Sequence, residues 1–163
     1  MSQFIPLKTY KTIIKYGPIA SNDILVEVKG KYLLAKRKNQ PGEGLWWSPV
    51  GRLKKNESII AAVHRAINEE LGIKKIKIKK FLGVFEFFCQ PGKFGQKDIH
   101  YISFAFLVKP LGNFKIKLDN QHSEYCFFKN PPKNSHPFLE KIFSLAKNKK
   151  YKNIYPYNYQ VKN

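Results

Sequence analysis

A chain of 163 residues, of which 43% are hydrophobic and 15% aromatic, has the length of one domain and enough apolar side chains for a packed core, so intrinsic disorder is excluded. Its 30 lysines and arginines against 11 aspartates and glutamates give a formal net charge of +19, which makes a polyanion the first partner to consider. Because no apolar run reaches the roughly 18 residues of a membrane span and the N-terminus has no long apolar signal stretch, we expect a soluble, cytoplasmic protein with no membrane partner.

Hydrophobic spacing in the first third of the chain predicts a helix and a β-hairpin. Leu7, Tyr10 and Ile13 recur at helical intervals, and Gly17-Pro18 ends that pattern. Lys29-Gly30 stands between two apolar runs and is typical of a tight turn. The predicted elements, in chain order, are a helix over residues 6–16, strands over 23–28 and 32–35, a Pro/Gly loop over 38–46 and a short strand over 47–50.

The middle of the chain predicts an amphipathic helix. Asn56 is a suitable N-cap for a helix over residues 57–71, and Gly72 is a suitable stop. The apolar stripe of this helix repeats at intervals of three and four and consists of Ile60, Val63, Ile67 and Leu71. This periodicity predicts that one face of the helix packs on a core.

Strands dominate the second half of the chain. The predicted elements are a strand over residues 75–85, a loop over 89–98, strands over 99–108, 114–118 and 125–128, and a helix over 135–147. We expect residues 1–147 to form one domain of the α/β class, in which helices cover a mixed sheet. Residues 148–163, rich in lysine, asparagine and tyrosine, are expected to form a basic, mobile tail.

The cysteines and isolated histidines offer little sign of a metal site. Cys89 and Cys126 stand among apolar residues without the spacing of zinc ligands, so we expect reduced thiols in or near the core. His64 and His136 are expected to face solvent, and His100 to pack at the start of a strand.

The segment over residues 51–73 carries the chemistry of the chain and reads GRLKKNESIIAAVHRAINEELGI. It resembles the Nudix box, G-x5-E-x7-R-E-U-x-E-E-x-G-U, in which U is aliphatic. Ala66 stands where the box has the glutamate after its arginine. The other defined positions match and are Gly51, Glu57, Arg65, Ile67, Glu69, Glu70, Gly72 and Ile73. The alternative, an ordinary amphipathic surface helix, requires no such match.

Resemblance to this box implies a Nudix fold, an α/β/α sandwich with a mixed β-sheet. Arg65 and Glu69 stand at i and i+4 and can meet on one helix face, and Glu57 can reach back to the arginine. Glu70 is then the carboxylate that faces a divalent cation, Mg²⁺ or alternatively Mn²⁺, since hard ions take oxygen ligands. The alanine at position 66 implies fewer metal ions or a different base, because a methyl group neither binds metal nor activates water.

Segments outside the box are similar to one Nudix branch, the GDP-mannose mannosyl hydrolases. The similar segments are LLAKRKNQPGEGLWWSPVGR, FLGVFEFF, IHYISFAF and LDNQHSEY, and the likeness extends over roughly residues 4–145. In this branch, water attacks the anomeric carbon of the sugar and GDP leaves intact. The resemblance implies a nucleotide-sugar substrate, GDP-mannose or GDP-glucose, and a homodimer.

The same resemblance assigns roles to individual residues. His122 would be the base, since histidine titrates near neutral pH, and Arg37 and Arg52 would neutralise the departing diphosphate. The metal ligands would be Glu70, Gln121 and a backbone carbonyl at Val50 or Gly51, with Glu69 either adding a contact or pairing with Arg65. Asp23 and Tyr101 would contact the sugar or support catalysis, and Phe4 would stack on the guanine.

Two departures from the branch leave alternatives open. Glu69 and Glu70 are both acidic, as in ordinary Nudix enzymes, and Phe87 stands where a histidine is expected. Attack at phosphorus by a pyrophosphatase, or a changed sugar preference, is therefore a second hypothesis. An RNA-binding protein on an inactive Nudix scaffold is a third, but no known RNA-binding motif is visible, so nucleic acid is not an expected partner. We interpret the lysines as solvent-exposed charges without a specific role, whereas the three arginines stand at positions to which the resemblance gives a role.

Overall fold

A computed structural model describes residues 5–89 and 99–148 of the chain. The helices are α1 (Leu7–Tyr16), α2 (Ile59–Leu71) and α3 (Phe138–Lys147). The strands are β1 (Ile19–Val28), β2 (Lys31–Arg37), β3 (Trp46–Trp47), β4 (Val50–Arg52), β5 (Ile76–Cys89), β6 (Ile99–Pro110) and β7 (His122–Phe128). No helix in these two ranges has the length and apolar content needed to cross a membrane.

The seven strands of the described ranges form one mixed sheet. Its main path runs β3-β2-β1-β6-β5, while β4 pairs with β1 and β7 pairs with β2. Strands β1 and β6 run parallel, and the other pairs in the described ranges are antiparallel. Strand β1 therefore has three partners, and residues 21–23 of its first half lie between β4 and β6.

Helices cover both faces of this sheet. The apolar stripe of α2 packs on one face against Ile24, Val26 and Phe106. Helix α3 packs on the opposite face through Leu139, Ile142 and other residues against a cluster that includes Leu25. This arrangement confirms the predicted α/β/α sandwich with a mixed β-sheet.

Helix α2 begins and ends with local signals, but its N-cap differs from the prediction. The cap is Ser58, whose side chain accepts a hydrogen bond from the Ala61 N–H at 3.1 Å. Asn56 lies earlier, in a turn with φ of 63°, so the prediction that it caps the helix is wrong. Gly72 adopts the left-handed conformation, with φ of 69°, and its N–H bonds to the Asn68 carbonyl, which confirms the predicted stop.

Several elements of the second half differ from the prediction: β5 ends at Cys89 and not at residue 85, α3 begins at Phe138 and not at residue 135, and two further differences bear on the site. Residues 114–118 form no strand; their alternating apolar side chains instead pack against the α2 side of the core, and the Lys117 N–H bonds to the Leu71 carbonyl at 2.9 Å. Strand β7 begins at His122, three residues earlier than predicted, because Arg37 of β2 pairs with it. The first of these segments leads into the second and aligns it with the end of α2.

Cys126 is a free thiol, as predicted, but the prediction that it lies in or near the core is wrong, because it is exposed in the edge strand β7. His64 is exposed, as predicted. The predictions for Phe4, for the loop over residues 90–98, for the side chain of Cys89 and for the tail beyond residue 148 lie outside the described residues.

Candidate functional site

A cleft of about 700 Å³ opens beside the first half of β1 and collects most of the predicted site residues. The predicted residues that line it are Asp23, Arg37, Val50, Arg52, Glu69, Glu70, Tyr101, Gln121 and His122. A second cavity of about 270 Å³ lies next to it and is lined by Gly51 together with Glu69, Glu70 and Gln121. Residues that are up to 99 positions apart in the chain thus meet at one place.

The Arg65 guanidinium makes four hydrogen bonds beneath the cleft, and we call this arrangement the Arg65 fork. Its Nε and Nη2 donate to the two oxygens of Glu57 at 2.7 and 2.8 Å, and its Nη1 donates to Glu69 at 2.7 Å. Nη2 also donates to the Arg52 carbonyl at 2.8 Å. The hydrogen bonds from Arg65 hold the pKa of Glu57 below its ordinary value, although burial alone would raise it. The fork fixes the loop before α2 against the helix, a task that suits the planar guanidinium.

Glu70 is the buried carboxylate of the site. Its exposed fraction is 7%, and its Oε2 accepts a hydrogen bond from the Val50 N–H at 3.0 Å. Burial raises the pKa of Glu70 to about 8, with a further rise from the neighbouring Asp119 and a reduction from the Val50 bond. Within the described residues Oε1 has no hydrogen-bond donor, so this oxygen is available to a ligand.

Asp119 organises the residues that follow it. Its Oδ1 accepts from the Gln121 N–H at 3.0 Å and lies 2.7 Å from Nδ1 of His122, while its Oδ2 accepts from the Gln121 side-chain amide at 3.0 Å. A carboxylate only accepts hydrogen bonds, so Nδ1 of His122 carries the proton and Nε2 carries the lone pair. Burial lowers the pKa of His122 more than Asp119 raises it, which favours the neutral ring.

Asp23 lies at the bottom of the cleft and is 2% exposed. Its Oδ1 accepts from the Trp47 indole N–H at 2.8 Å and from the Ser48 hydroxyl at 2.9 Å, and its Oδ2 accepts from the Ser103 hydroxyl at 2.5 Å. Burial raises the pKa of Asp23 and these three hydrogen bonds oppose the rise. The carboxyl is therefore fixed in place by β3, β6 and the turn after β3.

The two cleft arginines are held by different means. Arg37 donates from Nε to the Pro41 carbonyl at 2.7 Å, and its guanidinium lies 6.0 Å from the Trp47 ring centre. Arg52 lies over the ring of Tyr10 at 5.0 Å, so α1 contributes to the wall of the cleft. Tyr101 packs with Ile14, Ile19 and Ile99 at the same wall.

Gly51 and Ala66 meet where β4 crosses α2. A Cβ atom added to Gly51 would collide with the Cβ of Ala66, so only glycine permits this close approach. Val50 stands in extended conformation in β4, opposite Asp23, and does not need a positive φ. The backbone at position 50 therefore accommodates a valine.

Two side chains that line both cavities offer oxygen atoms of the kind that a hard cation takes. Glu70 offers Oε1, and Gln121 offers its amide oxygen because Asp119 holds its amide nitrogen. Glu69 is already bound to Arg65 and to Lys54. Among the residues that the structure describes, no three His, Cys, Asp or Glu side chains converge as a metal cluster.

Several residues of the site were not predicted from the sequence. Asp119 lies three residues before His122 inside the segment LDNQHSEY, which was the available signal. The hydrogen bonds of Trp47, Ser48 and Ser103 to Asp23 have no local signal, because they join β1 to the end of β3 and to β6. His136 is half-buried against Trp47, at 4.6 Å between ring centres; the prediction that it faces solvent is wrong, since α3 brings it onto this wall.

Comparison with known proteins gives three findings. The model of the family described as the NUDIX domain matches residues 20–135. The chain is 34% identical to the low-salt glycan biosynthesis protein Agl8 of Haloferax volcanii over 84% of this chain and 87% of that protein. It is 33% identical to an ADP-ribose pyrophosphatase of Methanocaldococcus jannaschii over 78% of this chain and 71% of that protein.

Solved structures share the fold. The MutT NUDIX hydrolase from Burkholderia pseudomallei superposes with a TM-score of 0.66 at 22% identity and covers 80% of this chain and 99% of its own. At that identity the likeness concerns the arrangement of strands and helices. It agrees with the mixed sheet between helices described above.

Proposed function

Since the chain belongs to the NUDIX domain family, we propose that it hydrolyses a GDP-sugar, GDP-mannose or GDP-glucose, to GDP and the free sugar by attack of water at the anomeric carbon. Nudix enzymes act on nucleotide derivatives and generally use divalent metal ions such as Mg²⁺. The observation that carries the proposal is the pair of His122 and Asp119 at the edge of the cleft, next to a box in which Ala66 replaces a carboxylate.

His122 is the proposed general base. Its Nδ1–H is held by Asp119, and the lone pair on Nε2 accepts the proton of the attacking water. The new bond joins the water oxygen to the anomeric carbon, and the bond from that carbon to the diphosphate oxygen breaks. The bonding electrons leave with GDP, and the sugar is released as the free hexose.

The leaving diphosphate gains negative charge and requires cations around it. Arg37 and Arg52 line the cleft and offer guanidinium groups. Glu70 and Gln121, with a backbone carbonyl at Val50 or Gly51, would hold a divalent cation, which supplies further positive charge to diphosphate oxygens when bound. Asp23 and Tyr101 are proposed to bind the sugar, and Phe4 the guanine.

Isotope labelling tests which bond is cleaved. GDP-mannose is hydrolysed with Mg²⁺ in ¹⁸O-labelled water, and both products are analysed by mass spectrometry. We expect the label in the free sugar and unlabelled GDP as the other product. Label in GMP or in a sugar phosphate would overturn the proposal, because it requires attack at phosphorus.

A pyrophosphatase that cleaves the P–O–P bond is the second candidate. It is favoured by the relative described as an ADP-ribose pyrophosphatase and by the acidic residue at position 69. Against it, Glu69 is engaged by Arg65 and Lys54 and position 66 has no carboxylate. ADP-ribose in the same labelled water distinguishes the two, since pyrophosphate cleavage places label in AMP or ribose phosphate.

We further propose that the chain forms a homodimer, as the branch resemblance implies. Size-exclusion chromatography with light scattering measures its mass directly. The expected mass is twice the 19.0 kDa of one chain, and a mass of one chain would contradict the dimer.

A further inference from the structure

Lys54 occupies the junction of the two cavities. It lines the larger cleft together with Arg37 and Arg52, and it lines the smaller cavity together with Glu69 and Glu70. Its side chain is 28% exposed. It is thus the one lysine among the described residues that lines both cavities, and the roles assigned above do not include it.

The backbone around Lys54 is anchored, so its side chain is presented from a fixed point. The Lys54 N–H donates to Oε2 of Glu57 at 3.1 Å, and the Arg65 fork holds that carboxylate in turn. The preceding Leu53 N–H donates to the Ala20 carbonyl at 3.0 Å. These bonds tie the residue to both α2 and β1.

The contact that the ammonium now makes is readily exchanged. Nζ of Lys54 lies 3.3 Å from Oε1 of Glu69, whose side chain is half exposed. Such solvent-accessible pairs contribute little to stability, and Arg65 still binds Glu69 at 2.7 Å when Lys54 leaves. The ammonium has three donors and uses one on Glu69.

We propose that Lys54 binds the diphosphate of the substrate by exchanging its contact with Glu69 for a phosphate oxygen, a role that rests on the proposed function in requiring a diphosphate substrate. Position 66 is alanine and not the glutamate of the Nudix box, so this region has one carboxylate fewer, and Lys54 adds a positive charge. The protein itself therefore supplies cationic charge beside the residues proposed to hold the metal ion. Lys54 acts here as a flexible point charge, in contrast to the rigid forks of Arg37 and Arg52.

Calorimetric titration with inorganic pyrophosphate tests this role without nucleoside, sugar or metal. Wild type, Lys54→Met and the matched control Lys55→Met are titrated in the presence of EDTA. Lys55 is the exposed next residue, so the control removes the same charge outside the cavities. We expect the Kd of Lys54→Met to rise about tenfold, and that of Lys55→Met to change less than about twofold.

The charge-preserving variant Lys54→Arg is expected to bind pyrophosphate within about threefold of wild type. Equal affinities for Lys54→Met and Lys55→Met, or no measurable binding by wild type, would overturn the proposal. A circular dichroism spectrum of each variant shows that the fold is kept.

Glu69→Gln gives a second readout. Removing the carboxylate that competes for Lys54 should tighten pyrophosphate binding, and this gain should shrink in the Lys54→Met background, where there is no ammonium to release. An equal gain in both backgrounds would contradict the exchange. Because pyrophosphate has no anomeric carbon, these results stand apart from the labelling experiment: attack at phosphorus would end the GDP-sugar proposal and leave the role of Lys54 intact.

Discussion

The two ring nitrogens of His122 have separate tasks, and Asp119 assigns them. In Asp119→Ala no acceptor holds the proton on Nδ1, so the ring can carry its proton on Nε2 and the lone pair that accepts from water is lost. We expect kcat for GDP-mannose to fall at least about 100-fold with little change in KM. Steady-state kinetics measure both constants, and an unchanged kcat would show that Asp119 does not set the tautomer.

Removing the base itself should have a comparable effect. His122→Gln keeps a polar side chain but cannot take a proton at neutral pH, so kcat should fall between about 100-fold and about 10,000-fold. The thermal midpoint should remain near that of wild type, because the glutamine amide can still donate a hydrogen bond to Asp119 in place of Nδ1. Near-normal turnover by this variant would remove His122 as the base.

Glu57 makes stability depend on pH in a defined direction. The hydrogen bonds from Arg65 hold the pKa of Glu57 in the folded protein below its ordinary value. The stabilisation from the Glu57–Arg65 pair is therefore fully present above the pKa that Glu57 has in the unfolded chain. It is lost as the pH falls through the pKa that Glu57 has in the folded protein. We expect Glu57→Gln to lower the free energy of unfolding by about 2 kcal/mol near pH 7.

Urea denaturation between about pH 7 and about pH 3 measures this dependence. The gap between wild type and Glu57→Gln should narrow as the pH falls, since the wild-type carboxylate becomes protonated. A gap that stays constant over this range would mean that the ion pair with Arg65 does not contribute to folding.

At the scale of the elements, the crossing of β4 and α2 has little tolerance. Gly51→Ala forces the added methyl group against Ala66, so the helix or the strand must move. We expect a loss of about 1–3 kcal/mol, which corresponds to about 2–4 °C in Tm per kcal/mol for a chain of this size.

Gly17→Ala is the matched control, because a Cβ there meets no atom within 4 Å and the backbone is extended. Differential scanning calorimetry of both variants checks the prediction. If the Tm of Gly51→Ala falls no further than that of Gly17→Ala, the collision at Ala66 is relieved without loss of stability.

Local signals in the sequence were sufficient for some elements and insufficient for others. The apolar stripe and Gly72 predicted α2 because both act within the helix. Asn56 and Ser58 are both good caps two residues apart, and the choice between them follows from Glu57, which lies outside the helix and binds Arg65 of α2. A side-chain contact between the loop and the helix therefore decides this boundary, and cap preference alone does not predict it.

The candidate site shows the same division. The box residues around Arg65 and Glu70 follow from spacing along one helix and the loop before it. The wall around Asp23 does not, because Trp47 and Ser103 reach it from separate strands. His136 was misassigned for the same reason, since only the packing of α3 places it against Trp47.

For the whole molecule, the charge of +19 predicts an unusual response to salt. The described ranges contain three ion pairs between lysine or arginine and acidic residues that join different parts of the chain, Lys36–Glu124, Lys54–Glu69 and Arg65–Glu57, so repulsion between unpaired cations should outweigh attraction. The Debye length falls from about 30 Å at about 0.01 M salt to about 8 Å at about 0.15 M. We expect Tm to rise over this interval.

Thermal unfolding at a series of sodium chloride concentrations measures this effect. A neutral osmolyte at matched osmolality serves as control, because it does not screen charge. A Tm that falls with salt would mean that the ion pairs, including the Arg65 fork, stabilise the fold more than the lysines destabilise it.

The position of Trp47 gives the molecule an optical reporter of its own. The chain has two tryptophans; Trp46 packs against Phe128, with ring centres 5.1 Å apart, whereas Trp47 lines the cleft, donates to Asp23 and lies beside Arg37 and His136. Ligands that shift the charges around that indole should therefore change its emission. In a Trp46→Phe background, ultraviolet fluorescence would follow occupancy of the cleft in real time and without a label.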